Sequence, residues 1–395
     1  MSQPLRIICI ERSSDLREEM RGISLDPRAW ESLPSRMGSY GLHLKGRGKD
    51  EMELMGREAA ALGMEVYATQ PASGAQGMLI VGEGGRWGRM AERWSALPPL
   101  ATLGEELRRS LANLDLCHYS FRCGEWTLEL GKKTALMGVL NITPDSFSDG
   151  GRFLDPKQAI AHGARLIEEG SDLLDLGGES TRPNSEPISP QEELQRILPP
   201  LRSLVKMGVP ISVDTYKPEV ARVVLQEGAC LINDISGLRF HPSLADLIAS
   251  AGAGLVIMHM KGTPKDMQKD PHYDCLMEEV FSYFQEGIAL AESSGVRPEG
   301  ILIDPGIGFG KTVAHNLTLL RRLREFKSLG KPILIGPSRK SFIGKILDLP
   351  VEERLEGTAA AVAWAACHGA SMVRVHDVKE MKRVTAMIDA LRDGD

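Results

Sequence analysis

The segment TALMGVLN, residues 134–141, contains an apolar run that ends in an amide side chain, and seven similar runs follow it. A turn bounds each run, and a stretch with helical periodicity comes after it. The runs are Ala135–Leu140, Leu173–Leu176, Ile211–Val213, Leu231–Ile232, Leu255–Met258, Ile301–Ile303, Ile333–Ile335 and Met372–Val375. Strands that are apolar on both faces are typical of a parallel sheet covered by helices.

This alternation predicts the α/β class and a (β/α)8 TIM barrel over residues 134–395, since such barrels have about 250 residues. An open, doubly wound sheet is the alternative. Its usual glycine fingerprint after the first strand is missing from this sequence. We therefore favour the closed barrel.

Residues 1–115 predict an additional small N-terminal α/β domain of unknown role. Its predicted elements are strands at Leu5–Ile10, Met64–Ala68 and Met78–Val81 and helices at Asp50–Leu62 and Gly104–Leu114. The glycine-rich segment 82–85 lacks the lysine and hydroxyl residues of a phosphate-binding loop. Residues 116–133 predict a linker and a hairpin that closes the bottom of the barrel.

The overall composition excludes several classes of protein. Hydrophobic residues make up 42% and charged residues 25% of the 395-residue chain, an ordinary globular balance. The net charge of −6 gives no electrostatic support for a nucleic-acid partner. The longest wholly apolar run, 359–367, is shorter than the roughly 20 residues that span a bilayer, so no membrane partner is predicted.

The cysteines and the N-terminal segment predict a cytoplasmic protein. The six cysteines form no C-x-x-C pair and no zinc-finger spacing, which favours free thiols in a reducing compartment. Charged residues surround the single short apolar run at the N-terminus, so no secretory signal is predicted.

Polar side chains mark the carboxyl ends of the predicted strands, which form the mouth and the site of a (β/α)8 barrel. They are Asn141, Asp175, Asp214, Asn233, Asp234, His259, Asp304, Ser338, Arg339, Lys340, Arg374 and His376. Each has a purely structural explanation when taken alone. Asp214 could cap a helix, Asp304 could start a turn, and Lys340 could be a surface lysine. Their convergence on one mouth favours a functional site.

These residue types suit a flat heterocycle with an anionic tail. Asp304 could accept two parallel hydrogen bonds from an amino-pyrimidinone edge, and Asn233 could both donate and accept. Lys340 could donate to a ring oxygen or nitrogen. Arg374 could stack on the ring or bind phosphate. We expect Arg182 and His376, together with Arg374, to bind an anionic group.

Two loops, 143–151 and 177–189, follow the first two barrel strands. Both are rich in Gly, Ser, Asp and Pro, which is typical of mobile connections that face solvent. Phe147 and Arg182 are unusual choices for inert turns. The loops are therefore candidates for a lid that excludes water from the mouth.

Eight segments of the barrel region resemble the dihydropteroate synthase family of folate biosynthesis. They are MGVLNITPDSFSDGG (137–151), DLGGESTRP (175–183), SVDTYKPEVA (212–221), INDISG (232–237), MHMKGTP (258–264), IDPGIGFGK (303–311), GPSRKSFIG (336–344) and VRVHDV (373–378). The segments follow the family's order over about two-thirds of the chain. The resemblance implies a (β/α)8 barrel, a homodimer and a cytoplasmic enzyme that is a sulfonamide target.

The implied reaction joins the methylene of 6-hydroxymethyl-7,8-dihydropterin diphosphate to the amine of 4-aminobenzoate and releases pyrophosphate. The leaving group is strongly anionic, so cations and a metal are needed to stabilise its developing charge. The resemblance makes Asn141 a ligand of a Mg²⁺ cofactor, and an amide oxygen is a suitable ligand for this hard cation. It implies no covalent enzyme intermediate.

The resemblance also implies a role for each matching residue. It assigns pterin binding to Asp214, Asn233, Met258, Asp304, Gly336, Lys340 and Arg374, and diphosphate binding to Asn141, Arg182, Arg374 and His376. It assigns 4-aminobenzoate binding to Phe147, Asp149, Thr181, Pro183, Phe309 and Ser338. The implied catalytic groups are Asp214, Lys340, Arg374 and His376. Asp214 and Asp304 would favour positive charge on the pterin methylene if its bond to diphosphate breaks early.

The chain departs from the family pattern at two places. Asn184 stands where the family commonly has glycine, which affects the expected 4-aminobenzoate contacts. The usual member of the family has a single domain and lacks a segment equivalent to residues 1–115.

Three other functions compete with the synthase. A pterin-dependent methyltransferase with a corrinoid partner would share the pterin-edge residues, but TPDSFSDGG, STRP and SRKS favour diphosphate and aminobenzoate chemistry. A catalytically silent pterin-binding protein is disfavoured because Asn141, Asp304, Lys340 and Arg374 are all present. A zinc enzyme based on His259 and His376 is disfavoured, because the two histidines come from separate strands without an H-x-x-x-H pair and zinc sites generally need three or four protein ligands.

Overall fold

The computed structural model of the protein describes residues 5–10, 19, 39–68, 77–143, 156–181 and 185–393. Its contacts separate two units. The first comprises the chain to Leu116 together with Tyr273–Ser282 and Arg324–Gly330. The second comprises Cys117–His272, Tyr283–Leu323 and Lys331–Asp395. The segments Tyr273–Ser282 and Arg324–Gly330 are inserted in the first unit from the barrel region of the chain. The sequence pattern predicts both as parts of the barrel, because they lie within its regular alternation of strands and helices.

Four antiparallel strands in the order β1-β2-β4-β3 form the sheet of the first unit. Its elements are β1 (Arg6–Ile10), β2 (Ser39–Lys45), α1 (Lys49–Ala61), β3 (Glu65–Ala68), β4 (Gly77–Glu83), α2 (Gly84–Ser95) and α3 (Ala101–Asp115). The sequence analysis did not predict β2 and α2. Gly84, Gly85 and Gly88 lower the helix propensity of α2. The helix forms because Trp87 and Trp94 are buried in the core of this unit.

The inserted segments contribute buried ion pairs to the first unit. Arg6 donates hydrogen bonds to Glu19 and, from Nη1 at 3.3 Å, to Glu325 Oε2. Both carboxylate side chains are fully buried. Lys45 Nζ lies 2.7 Å from Glu278 Oε2. A buried charge needs such a partner, so these pairs hold both segments in this unit.

A hairpin of β5 (Tyr119–Cys123) and β6 (Trp126–Leu130) covers one end of the barrel in the second unit. Phe121, Cys123 and Leu130 pack against side chains from the first half of the barrel strands, including Leu231 and Leu302. The hairpin therefore blocks the amino-terminal end of the barrel. The carboxyl end of the strands remains as the mouth.

Eight strands close into a parallel barrel, which confirms the predicted fold. They are β7 (Ala135–Asn141), β8 (Leu173–Gly177), β9 (Ile211–Asp214), β10 (Leu231–Asp234), β11 (Gly254–Met258), β12 (Ile301–Asp304), β13 (Ile333–Ile335) and β14 (Ala370–Val375). The barrel closes where β14 pairs with β7, with Met372 opposite Ala135. Most strand residues are buried, as expected for strands covered on both faces.

Helices separate the barrel strands along the chain. They are α4 (Pro156–Glu168), α5 (Pro190–Leu204), α6 (Pro218–Gln226), α7 (Leu244–Ser250), α8 (Leu276–Ser293), α9 (Val313–Arg321), α10 (Ser341–Leu347), α11 (Leu355–Cys367) and α12 (Val378–Asp393). Both α5 and α6 begin with proline, whose missing N–H is no loss at a helix start. In the described part of the chain, no helix has the length and apolar character to cross a membrane.

Candidate active site

A buried carboxylate, Asp175 of β8, is bonded to side chains from two other strands, and one of these side chains reaches a third strand. Its Oδ2 accepts hydrogen bonds from Arg374 Nε at 2.6 Å and from Asn233 Nδ2 at 3.0 Å. Arg374 Nη2 also donates to Asp214 Oδ2 at 3.1 Å. The ends of β8, β9, β10 and β14 therefore present one connected polar group at the barrel mouth.

The sequence predicts Asp175 as one of the polar residues of the mouth but indicates no role for it. A carboxylate within the apolar run Leu173–Leu176 signals a buried charge that needs a partner. The partner could not be read from the sequence, since Arg374 is 199 residues away. The Oδ1 atom of Asp175 has no hydrogen-bond partner among the described residues.

Asp304 and Lys340 lie together on another part of the mouth. Asp304 Oδ1 accepts a hydrogen bond from Gly306 N at 2.7 Å. Burial raises the pKa of Asp304, and the positive charge of Lys340 opposes this rise. Lys340 donates to the Ile307 carbonyl, and its Nζ lies 4.7 Å from the centre of the Phe309 ring. Burial lowers the pKa of Lys340 to about 8.

The mouth also has an apolar side and a small gap at a glycine. A Cβ atom at Gly336 would lie 3.7 Å from both Arg374 Cβ and Lys340 Nζ, which is ordinary contact distance, so glycine leaves a gap about the size of one methyl group beside these two residues. Met258 belongs to a buried apolar cluster with Ile235, Met260 and Met267, against which Tyr216 and Phe309 pack. An apolar wall beside a few directed polar groups is the usual design of a small-molecule site.

The electrostatics of Asp214 and Arg374 are set by burial and by each other. Burial raises the pKa of Asp214 to about 8, although the Arg374 charge acts in the opposite direction. The carboxylates of Asp175 and Asp214 raise the pKa of Arg374. The guanidinium of Arg374 therefore stays charged in this site. The ionisation of Asp214, by contrast, depends on the charged groups around it.

The imidazole of His376 is held in its neutral form at pH 7. Burial, together with the positive charge of Arg374, lowers its pKa to about 3. Its Nδ1 lies 3.0 Å from Ser338 Oγ, and its backbone N–H donates to the same oxygen at 3.2 Å. The imidazole is thus held in place by Ser338 and can offer a neutral hydrogen-bonding group to a ligand.

His259, another predicted strand-end residue, is bonded to protein groups and has a structural role. Its Nδ1 lies 2.9 Å from the Nζ atom of Lys311, which also donates to the Phe309 carbonyl at 2.9 Å. Burial lowers the pKa of both His259 and Lys311. Within the described ranges, no three His, Cys, Asp or Glu side chains cluster in a way that could hold a metal.

The remaining residues to which the family resemblance assigns a role fall into two groups. Asn141 and Thr181 are half-buried. Asn141 Oδ1 lies 3.6 Å from the position of a Cβ atom on Gly177, and Asp214 flanks the same glycine. The other group lies outside the described residues and consists of Phe147, Asp149, Arg182 and Pro183.

Known proteins match the barrel region of this chain. Residues 137–376 match the family described as pterin binding enzyme. A dihydropteroate synthase of Synechocystis sp. is 47% identical over 270 residues, which cover 68% of this chain and 93% of the relative. The chain belongs to the dihydropteroate synthase family.

Solved dihydropteroate synthase structures share the fold of the barrel. The Yersinia pestis enzyme, in complex with a sulfonamide drug, is 42% identical with a TM-score of 0.66, and the match covers 70% of this chain and 99% of the other. The Xanthomonas albilineans enzyme with 7,8-dihydropteroate is 40% identical with a TM-score of 0.62, covering 70% and 98%. These relatives favour the synthase over the methyltransferase alternative.

The burial of His376 predicts a pH dependence of stability. In the unfolded chain a histidine binds a proton near pH 6.5, whereas folded His376 binds it only near pH 3. Between these values the unfolded state binds more protons, so stability falls as the pH is lowered. At pH 5 this effect should cost about 2 kcal/mol of the free energy of unfolding.

Urea unfolding of the wild type and His376→Gln from pH 7 to pH 5 tests this. The neutral glutamine removes the titrating group, so the variant should lose less stability than the wild type as the pH falls. Parallel stability curves for the two proteins would show that His376 does not titrate in this way.

Proposed function

We propose that the barrel mouth joins the methylene carbon of 6-hydroxymethyl-7,8-dihydropterin diphosphate to the amine of 4-aminobenzoate. The products are 7,8-dihydropteroate and pyrophosphate, so the protein acts as a transferase in folate biosynthesis. The connected group of Asp175, Arg374, Asp214 and Asn233 at the mouth is the observation that carries this proposal. It supplies carboxylate, amide and guanidinium groups around one small opening, in a chain that belongs to the dihydropteroate synthase family.

The buried polar groups account for recognition of the pterin. Asp304 can accept two hydrogen bonds from the amino-pyrimidinone edge, and Asn233 can donate and accept at another edge. Lys340 can donate to a ring heteroatom; its Nζ is bound to the Ile307 carbonyl, and its charge acts on that of Asp304. Met258 and Gly336 provide the apolar wall and a small gap beside the flat ring.

Breaking the bond to diphosphate separates charge, and the site can stabilise both parts. Arg374 uses Nε and Nη2 to bind Asp175 and Asp214, which leaves Nη1 for the leaving diphosphate. His376 can add a neutral N–H, since its pKa is low. Asp214 and Asp304, in their ionised form, can stabilise the positive charge that develops on the pterin methylene.

The aminobenzoate must approach the methylene from the loop side of the mouth. Thr181 lies at the start of the loop after β8, and Phe309 packs beside Lys340. We assign these two residues, with Ser338, to the aminobenzoate subsite. Phe147, Asp149, Arg182 and Pro183 are assigned to substrate contacts by the family resemblance alone.

We further propose that Asn141 holds a Mg²⁺ ion together with the substrate diphosphate. Asn141 is a half-buried amide at the mouth, which suits a hard cation. Mg²⁺ usually keeps several waters and binds through one or two protein oxygens plus phosphate oxygens, so a single amide ligand is sufficient. The bound ion would neutralise charge on the leaving diphosphate.

The proposed reaction has a direct test. The purified protein, incubated with the pterin diphosphate, 4-aminobenzoate and Mg²⁺, should release pyrophosphate and form dihydropteroate in equal amounts. Chelation with excess EDTA should stop the reaction, and added Mg²⁺ should restore it. Omission of 4-aminobenzoate provides the blank, and absence of pyrophosphate release from the complete mixture would refute the proposal.

Lys340→Ala should impair use of the pterin more than use of the aminobenzoate. The change removes a charged hydrogen-bond donor beside Asp304, which should raise KM for the pterin diphosphate by about tenfold to a hundredfold. KM for 4-aminobenzoate should change by roughly twofold at most. Steady-state kinetics with each substrate varied in turn measure both values, and an equal rise in both would contradict the assigned role.

We also propose a homodimer. The helices α9, α10 and α11 pack against one another and expose large apolar side chains, namely Leu317, Ile346, Leu347 and Trp364. Val351, in the turn between α10 and α11, is also exposed. Apolar side chains exposed on neighbouring helices are typical of an interaction surface. Trp364 is 42% exposed, so burial against a second copy would remove much apolar area from water.

Sedimentation equilibrium tests the dimer. The wild type should have twice the mass of one chain, and Trp364→Glu should shift it towards the monomer because a charge would be buried in the interface. Met207→Glu, at a similarly exposed site outside these helices, is the control. A monomeric wild type would rule the dimer out.

We place the protein in the cytoplasm, because its six cysteines form no C-x-x-C pair and no zinc-finger spacing. Cys123 and Cys230 are buried with their sulfur atoms 3.6 Å apart and are not joined by a disulfide in the structure. An unbridged pair at this distance suits a reducing compartment.

A further inference from the structure

The loop after β8 is closed at its base by hydrogen bonds between its two ends. Glu179 Oε2, near the start of the loop, accepts from Ile188 N at 2.9 Å, and Ser185 Oγ donates to Ser180 O at 2.5 Å. Thr181 follows Ser180 directly and so lies within the segment that the inner of these two contacts closes. The position of Thr181 therefore depends on how this base is held.

Lys217, at the start of α6, holds both ends of this loop. Its Nζ donates to Glu179 Oε2 at 2.6 Å, to Ile188 O at 2.8 Å and to Glu193 Oε2 at 2.6 Å. These three bonds use all three donors of the ammonium group. One side chain from the neighbouring strand–helix unit thus ties the start of the loop, its end and helix α5 together.

The contact is nearly inaccessible to solvent. The exposed fractions of the side chains are 8% for Lys217, 6% for Glu179 and 1% for Glu193. Burial raises the pKa of Glu193, and the charge of Lys217 opposes this rise. A buried cluster of charges usually contributes less to stability than apolar side chains of the same size would. The best-attested use of such clusters is to specify one geometry.

The cluster also borders the substrate site. Lys217 follows Asp214 by three residues in the same turn after β9. Tyr216, between them, donates from its hydroxyl to Glu179 Oε1 at 2.8 Å, and its ring packs against the apolar cluster of Met258. The same short segment therefore contacts the loop base and the apolar wall of the mouth.

We propose that Lys217 is a positioning residue for 4-aminobenzoate. It holds the base of the loop so that Thr181 faces the aminobenzoate subsite, and it contacts neither substrate. This inference rests on the proposed function, because it uses the assignment of Thr181 to that subsite. Asp304 and Asn233 make no described hydrogen bond to Lys217, Glu179 or Glu193, and the two glutamates act on the pterin residue Asp214 only through their charge. Pterin binding should therefore depend on Lys217 less than aminobenzoate binding does.

The test compares both substrates in Lys217→Met. KM for 4-aminobenzoate should rise by about tenfold or more, because a displaced loop misplaces its contacts. KM for the pterin diphosphate should stay within about twofold of the wild type, the opposite pattern to Lys340→Ala. Lys217→Arg keeps the charge and several donors, so it should recover most of the aminobenzoate affinity.

Two further variants make the result decisive. Lys265→Met removes an exposed ion pair to Glu186 in the same loop, 2.8 Å long, and should change either KM by about twofold at most. Glu179→Gln removes one charge while keeping the side-chain size, and should show the same split as Lys217→Met. It decides the question if the methionine variant does not fold, as judged by circular dichroism.

The outcomes separate this inference from the reaction itself. An inactive wild type would refute the proposed function. An active wild type in which Lys217→Met and Glu179→Gln leave KM for aminobenzoate unchanged, or raise both KM values equally, would refute the positioning role alone.

Discussion

The ion pair between Arg374 and Asp175 is the interaction on which the candidate site depends. A guanidinium keeps its charge at any physiological pH, so burying it at the barrel mouth is tolerated only with carboxylate partners. Asp175 and Asp214 supply these partners from two adjacent strands, and Asp175 also holds Asn233. The geometry of four strand ends is thereby tied to one cation, which is then oriented for an anionic ligand.

Burial gives the other ionisable groups of the mouth their character. It raises the pKa of Asp214 and lowers those of Lys340 and His376, so each group is closer to its neutral form than it would be in water. A charged substrate that enters such a site replaces the water that burial has removed from these groups. It also brings charges opposite to theirs, which favour their ionised forms. Sites with perturbed pKa values in a cleft are typical of catalysis, and here they coincide with the residues that resemble the dihydropteroate synthase family.

The buried lysine clusters show two uses of charge in one barrel. Lys340 interacts with the charge of Asp304, lies next to Gly336 and is only partly buried. Lys217 has all three donors bound to protein atoms and is inaccessible to a substrate. The first arrangement is suited to recognition and the second to holding a loop in place.

The sequence by itself determined the barrel and the set of polar residues at its mouth. Strands buried on both faces leave an unmistakable series of apolar runs, and Asn141, Asp214, Asn233 and Asp304 stand at their ends. Local patterns could not show β2 and α2 of the first unit, since the glycines of α2 conceal a helix that forms through tertiary burial of its tryptophans. Only the tertiary structure decided which partner holds each charge, because the pairs Arg6–Glu325 and Asp175–Arg374 join residues 319 and 199 positions apart. Such long-range pairs depend on chain closure and burial, which no local segment encodes.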